Sequence, residues 1–265
     1  MGDDDEAEVM SEDESVKRVI MDTNHWIDLK KYPERLPRFA EAVDRDDVKV
    51  ILSFGNFIDL VRSGDDDILP RIVGGKCDYC LPVFREGDSY PVSDDPVDLV
   101  PPEYGRSFFA EELRGENPIR KLQYLIRYGD SPAPEGYDES VKQYKEMYEE
   151  YGHDNLKGHT FREYLKEQDG NYVLDPDDVD PVSYVQSEVV LHRLRLLQPE
   201  ENPDPHDIAD LQLCIQAILS DCNMLLIEKK WVNEELVESV LESLGSDKDL
   251  AVYKDFEVFL SDLKK

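Results

Sequence analysis

Two short runs constrain the fold more than anything else in this chain: VKRVIM at 16–21 and VKVILS at 48–53. Both are nearly continuous in apolar, mostly β-branched character, the pattern of strands buried on both faces rather than the alternation of a half-exposed hairpin. Each leads directly into a helical pattern. WIDLKKY and LPRFAEAVDR, interrupted by Pro33 and Pro37, follow the first, and FGNFIDLVRSG, closing near Gly64, follows the second. NMLLIE at 223–228 reads as a third strand, VNEELVESVLESLG as a helix, and AVYKDFEVFLSDL as a last strand and helix. The expected class is α/β: a doubly wound parallel sheet of about four to five strands, Rossmann-like, in three layers with helices on both faces.

Residues 1–16 carry eight acids and no base, and are expected to be a disordered tail. The regular pattern runs over 17–68 and resumes over 203–265. The stretch between, 69–202, is broken by Pro, Gly and Asp around several helical pieces, so a mostly helical insertion into one domain is expected. Its clearest pieces are EELRGENPIRKLQYLIRYG and YDESVKQYKEMYEEYG. In the second, Val141, Tyr144, Tyr148 and Tyr151 share a helical face, for which core packing is the ordinary explanation.

With 30 Lys and Arg against 61 Asp and Glu, the net charge is −31. Such a chain repels nucleic acid at ordinary ionic strength, because phosphate binding rests on basic side chains releasing counterions. In a cell with molar internal salt the screening length falls to about 3 Å, and a carboxylate-rich surface serves solubility instead. The acids are spread along the whole chain, which favours the halophilic reading. Residues 104–166 stand apart, with ten bases, twelve acids and eight of the fourteen tyrosines. That region is the best candidate for a surface that meets a polyanion.

No apolar stretch approaches the roughly 18 residues that span a bilayer, and the amino terminus lacks the basic and apolar parts of a signal peptide. A soluble, cytoplasmic protein is expected, with no membrane partner; a homodimer is left open. Cys77 and Cys80 in KCDYCL make half of a structural Zn²⁺ site, with no second CxxC to complete it. His153 and His159 are poorly spaced to help, so reduced thiols are the simpler expectation, and Cys214 and Cys222 read as buried.

The acids at the ends of apolar runs carry the chemistry. Asp22 closes the first strand, where open parallel sheets bind ligands, although an acid there more often caps the next helix. Asp59 lies six residues after the second strand, on a helix that also carries Asn56 and starts after Ser53. Asp207 and Asp210 share a face of an apolar helix, where a carboxylate is costly unless paired or bound to a metal. Glu228 closes the third strand as Asp22 closes the first. Acids brought that close repel one another, and divalent cations relieve the repulsion.

VIMDTNHWIDL, ILSFGNFIDL and DIADLQLCIQAILSDCNMLLIEKKW, taken in order, resemble the motifs of the PIN-domain nucleases over about 16–64 and 203–262. The resemblance implies a PIN-like fold in which acids hold Mg²⁺ or Mn²⁺ and a bound water hydrolyses a phosphodiester, usually of RNA. Asp22, Asp59, Asp210 and Glu228 take the acidic, catalytic and metal-holding places. Asn24, Ser53, Asn56, Asp207 and Asp221 are expected in support, with Asp221 as the competitor of Glu228 for the fourth position. Arg114, Arg120, Lys121 and Arg127 are expected to neighbour the substrate strand. The chain departs from the family pattern at Asp59, where Glu is usual, and at Ile227-Glu228, where Thr-Asp is usual. His25 and His206 sit beside key acids but read as surface or capping residues. Three rivals are a non-catalytic PIN-like scaffold binding RNA or protein, a toxin of a toxin–antitoxin pair, and a haloacid-dehalogenase-type phosphatase. The last needs a second Asp where Asn24 stands.

Overall fold

The computed structural model describes residues 16–82, 90–128, 180–197 and 207–263, with residues 142, 145, 146 and 204. Its centre is a five-stranded, all-parallel sheet in the order β3-β2-β1-β4-β5. The strands are β1 (Arg18–Met21), β2 (Lys49–Ser53), β3 (Tyr79–Leu81), β4 (Met224–Leu226) and β5 (Ala251–Tyr253). The helices are α1 (Thr23–Lys31), α2 (Arg35–Arg45), α3 (Phe54–Ser63), α4 (Ile68–Gly74), α5 (Arg106–Glu112), α6 (Pro118–Tyr128), α7 (Pro181–Leu196), α8 (Asp207–Leu219), α9 (Glu234–Ser243) and α10 (Phe256–Asp262). The α/β doubly wound class expected from the two apolar runs is the class observed.

Side-chain alternation divides the sheet between two cores. Val19, Met21, Val50, Leu52, Met224 and Leu226 face one core, packed by α1–α6 and α10. Ile20, Ile51, Leu81, Leu225 and Ile227 face the other, packed by α7–α9. Burial on both faces is why these strands read as continuous apolar runs.

The sheet takes its edge strand from inside the stretch expected to be an insertion. β3 pairs with β2 from Ile51–Tyr79 to Ser53–Leu81. Leu69, Val73, Leu122 and Leu125 lie in the first core, so α4 and α6 belong to the domain body. Within the stretch expected to be an insertion, β3 and α4–α6 thus cover one end of the sheet, and α7 supplies part of the opposite layer. The Tyr144 stripe lies outside the described residues. Pro33 separates α1 from α2, but Pro37 does not break the chain. It sits in the first turn of α2, where its missing N–H has no intrahelical partner to lose.

Two buried side chains tie the carboxyl edge of the sheet together. Asn56 Nδ2 donates to the Met21 carbonyl at 2.7 Å and to Thr23 Oγ1 at 3.1 Å, while its Oδ1 accepts from the Ser53 N–H and hydroxyl. Ser53 Oγ in turn accepts from the Asn56 N–H, closing a capping box at the start of α3. Gln216 of α8 accepts from the Phe54 N–H and donates to the Leu81 and Pro82 carbonyls. Both residues satisfy backbone groups that burial would leave unpaired.

α3 and α8 approach most closely at Gly55, where a Cβ would lie 2.4 Å from the Ala209 carbonyl oxygen. That oxygen is backbone and cannot swing aside, so the helices must separate to admit a methyl group. Gly55→Ala is expected to lower stability by about 2 kcal/mol, overpacking outweighing the gain in helix propensity of about 1 kcal/mol. Calorimetry should record this as a midpoint lower by about 4–8 °C.

Candidate functional site

Because all five strands are parallel, their carboxyl ends share one edge, and the chain leaves each end toward the same crevice. A cavity of about 320 Å³ opens there, lined by Asp22, Thr23, Asn24, Asp59, Arg62, Asp204, Asp210 and Lys229 among others. Three of the four acids expected to be catalytic thus meet from three different elements: the end of β1, the middle of α3 and the first turn of α8.

Asp22 is 1 % exposed and held by the backbone. Its N–H donates to the Leu226 carbonyl at 2.8 Å, and its Oδ1 accepts from the Asn24 N–H at 3.1 Å, capping α1. Oδ2 lies 3.5 Å from the Glu228 N–H. The capping role weighed for Asp22 is therefore real, and it sits together with a place on the cavity wall. Asn24 is exposed beside it and contributes its backbone N–H.

Asp59 lies 3.6 Å from Arg62 Nη1, one turn along α3. Asp210 is 4 % exposed, and its Oδ2 is paired with Lys229 Nζ at 3.1 Å. Burial, reinforced by the charges of Asp22 and Asp59, lifts the Asp210 carboxyl to about 7 although Lys229 pulls it down. For Lys229, burial works against the ammonium, yet Asp210, Asp207 and Asp204 outweigh it and hold its pKa above the usual lysine value. The carboxylates share one cavity, yet among the described residues no three of them close into a ready-made cation cage.

The other expected residues fall elsewhere. Glu228 is exposed and lies off the cavity, and its neighbour Lys229 takes the place on the wall. Burial and the charges of Asp22 and Asp28 raise the Glu228 carboxyl. Asp207, 1 % exposed, is paired with Arg193 through Nε and Nη2, each 2.9 Å from Oδ2, and its support is structural. Asp221 is at the opposite edge, 3.9 Å from Arg18 at the start of β1. α8 rises about 1.5 Å per residue and separates Asp221 from Asp210, so Asp221 does not compete with Glu228 for the cleft. Ser53 and Asn56 are fully buried and brace the wall without reaching the cavity.

Arg114 and Arg120 are exposed on the α5–α6 layer, away from the cavity. Lys121 is engaged with Asp95 at 2.6 Å. Arg127 pairs with Asp66, on the connection that leaves the cavity wall at Ser63. Near it, Tyr124 and Tyr128 lie 4.7 Å apart between ring centroids, and Tyr128 is exposed. His25 is buried against Phe256, off the cavity, and His206 lies outside the described residues.

The Cys77 and Cys80 thiols find no third ligand to complete a metal set among the described residues; His153 and His159 lie outside them. Burial pushes both thiols up, Cys80 to about 12, so the pair is poorly suited to act as thiolates. A larger cavity, about 980 Å³, opens at the amino edge of the sheet. Its Lys248 is already used: Nζ donates to the carbonyls of Ala217, Ile218 and Ser220 at the end of α8. Among the described residues, no helix is long and apolar enough to cross a membrane.

Sequence reasoning missed Lys229, Arg62 and Asp204 as parts of the site. Lys229 carried a signal, since it adjoins the acid chosen from the same strand end. Compared with family descriptions, curated proteins and solved structures, the chain matches none.

Proposed function

We propose that this chain is a metal-dependent nuclease of the PIN-like kind, hydrolysing phosphodiester bonds of single-stranded or structured RNA at the carboxyl edge of its sheet, in the cytoplasm of a high-salt cell. The observation that carries the reading is the meeting of Asp22, Asp59 and Asp210 on one cavity, with Asp22 and Asp210 almost completely buried in its wall. The donor set suits Mg²⁺ or Mn²⁺: hard carboxylate oxygens, and more acid than the two neighbouring bases neutralise. Asp22, Asp59 and Asp210 would hold the ion. When bound, a divalent ion supplies a water of lowered pKa and neutralises charge developing on the phosphate.

The protein's own groups do the rest. The Asn24 N–H fixes the orientation of Asp22, and Asn56 fixes the strand end that carries it. Arg127, Tyr124 and Tyr128 lie beyond the Ser63 rim and offer charge and ring faces to a strand leaving the cleft, with Arg114 and Arg120 further along that layer.

The Lys229–Asp210 contact and the open spacing of the carboxylates favour a second reading, a PIN-like scaffold that binds RNA or a protein partner without cutting. One experiment separates the two. Labelled single-stranded RNA is incubated with the full chain at molar KCl, with Mn²⁺, Mg²⁺ or EDTA. Cleavage with Mn²⁺ and none with EDTA is expected; RNA that is bound but stays intact at every salt and metal condition establishes the scaffold instead.

A further inference from the structure

Lys229 is placed with more care than a surface lysine requires. Its carbonyl accepts from Lys254 Nζ at 2.6 Å, and the same ammonium donates to the Val232 carbonyl. Between them, the Trp231 carbonyl lies 3.0 Å from His192 Nε2. The backbone after β4 is therefore pinned by β5 and α7, while the Lys229 side chain, 31 % exposed, keeps a flexible stem. Its charge has two carboxylates within reach: Asp210 at 3.1 Å and Asp207 at 4.0 Å. Arg193 already engages Asp207, which leaves Asp210 as the carboxylate that needs Lys229.

A pinned backbone, a flexible stem and a partly exposed ammonium on a buried carboxylate together describe an exchangeable contact. We propose that Lys229 is a tethered counter-cation, which neutralises Asp210 in the metal-free cleft and yields it to a divalent ion, so that the ion binds in competition with the chain's own ammonium. The inference rests on the metal reading above. On displacement Lys229 stays at the cavity wall.

The test measures Mn²⁺ binding without RNA, from loss of the free-ion paramagnetic resonance signal. Wild type, Lys229→Met, Lys229→Gln and Asp22→Asn are compared as full chains at high KCl. Removing the competing charge is expected to tighten Mn²⁺ binding about tenfold in both Lys229 variants. In the unaltered chain, Mn²⁺ is expected to increase the acetylation of Lys229 by acetic anhydride, a readout that does not depend on how a variant folds. Wild type binding Mn²⁺ more tightly than Asp22→Asn, with no gain in either Lys229 variant and unchanged labelling, overturns the counter-cation alone. No Mn²⁺ binding by wild type or by either Lys229 variant overturns the metal reading along with it.

Discussion

Asp22→Asn is expected to lower Mn²⁺-dependent RNA cleavage about a thousandfold, equivalent to about 4 kcal/mol of transition-state stabilisation, while moving the thermal midpoint by no more than about 2 °C. The two readouts separate because Asp22 has two jobs. It caps α1 through Oδ1, and asparagine caps a helix about as well as aspartate, so the Asn24 N–H keeps its acceptor. What the substitution removes is a buried negative charge facing Asp210 across the cavity. If capping were the whole role of Asp22, cleavage would survive unchanged. Retained activity in Asp22→Asn, with folding intact, would defeat the nuclease reading.

The largest loss of stability is expected from Arg193→Met. Asp207 is almost completely buried, and Arg193 is its closest basic partner, with Lys229 next at 4.0 Å. Removing the guanidinium strands a buried carboxylate, and broken pairs of this kind cost about 3–5 kcal/mol. Denaturant unfolding should show the loss, with the thermal midpoint falling by about 6–20 °C on the scale of a domain this large. The double variant Arg193→Met with Asp207→Leu should recover most of it, because apolar replacement of both partners leaves no charge uncompensated. A double variant no more stable than Arg193→Met would show that the pair's contribution is packing rather than charge. Lys229 should turn toward Asp207 in the single variant, which loosens its hold on Asp210.

Strands β1, β2 and β4 were legible because burial on both faces writes itself into continuous apolar runs. β3 was not. Three residues, Tyr79–Leu81, carry no period, and the CxxC around them drew attention to metal chemistry instead. Its pairing with β2 is a tertiary fact that no local pattern announces. The acids divide in the same way. Asp22, Asp59 and Asp210 could be chosen because strand ends and helix starts converge in a parallel sheet. Asp207 and Asp210, three residues apart, were separated only by the family resemblance, because the physical difference is Arg193, fourteen residues away on another helix. Glu228 and Lys229 depend on how the chain turns after Leu226, which Lys254 and His192 impose from elsewhere.

The cavity wall is drawn from distant parts of the chain, with Asp22 and Asp59 before residue 64 and Asp210 and Lys229 after residue 206. During synthesis, the 151 positions from Asp59 to Asp210 take about 8–30 s at ordinary elongation rates. β1 is the central strand, and until β4 is made half of its ladder is missing. Throughout that time a ribosome making this chain displays a protein whose site still lacks Asp210. If the site cuts RNA, the order of the strands shields the message being read until α8 and β4 have been made.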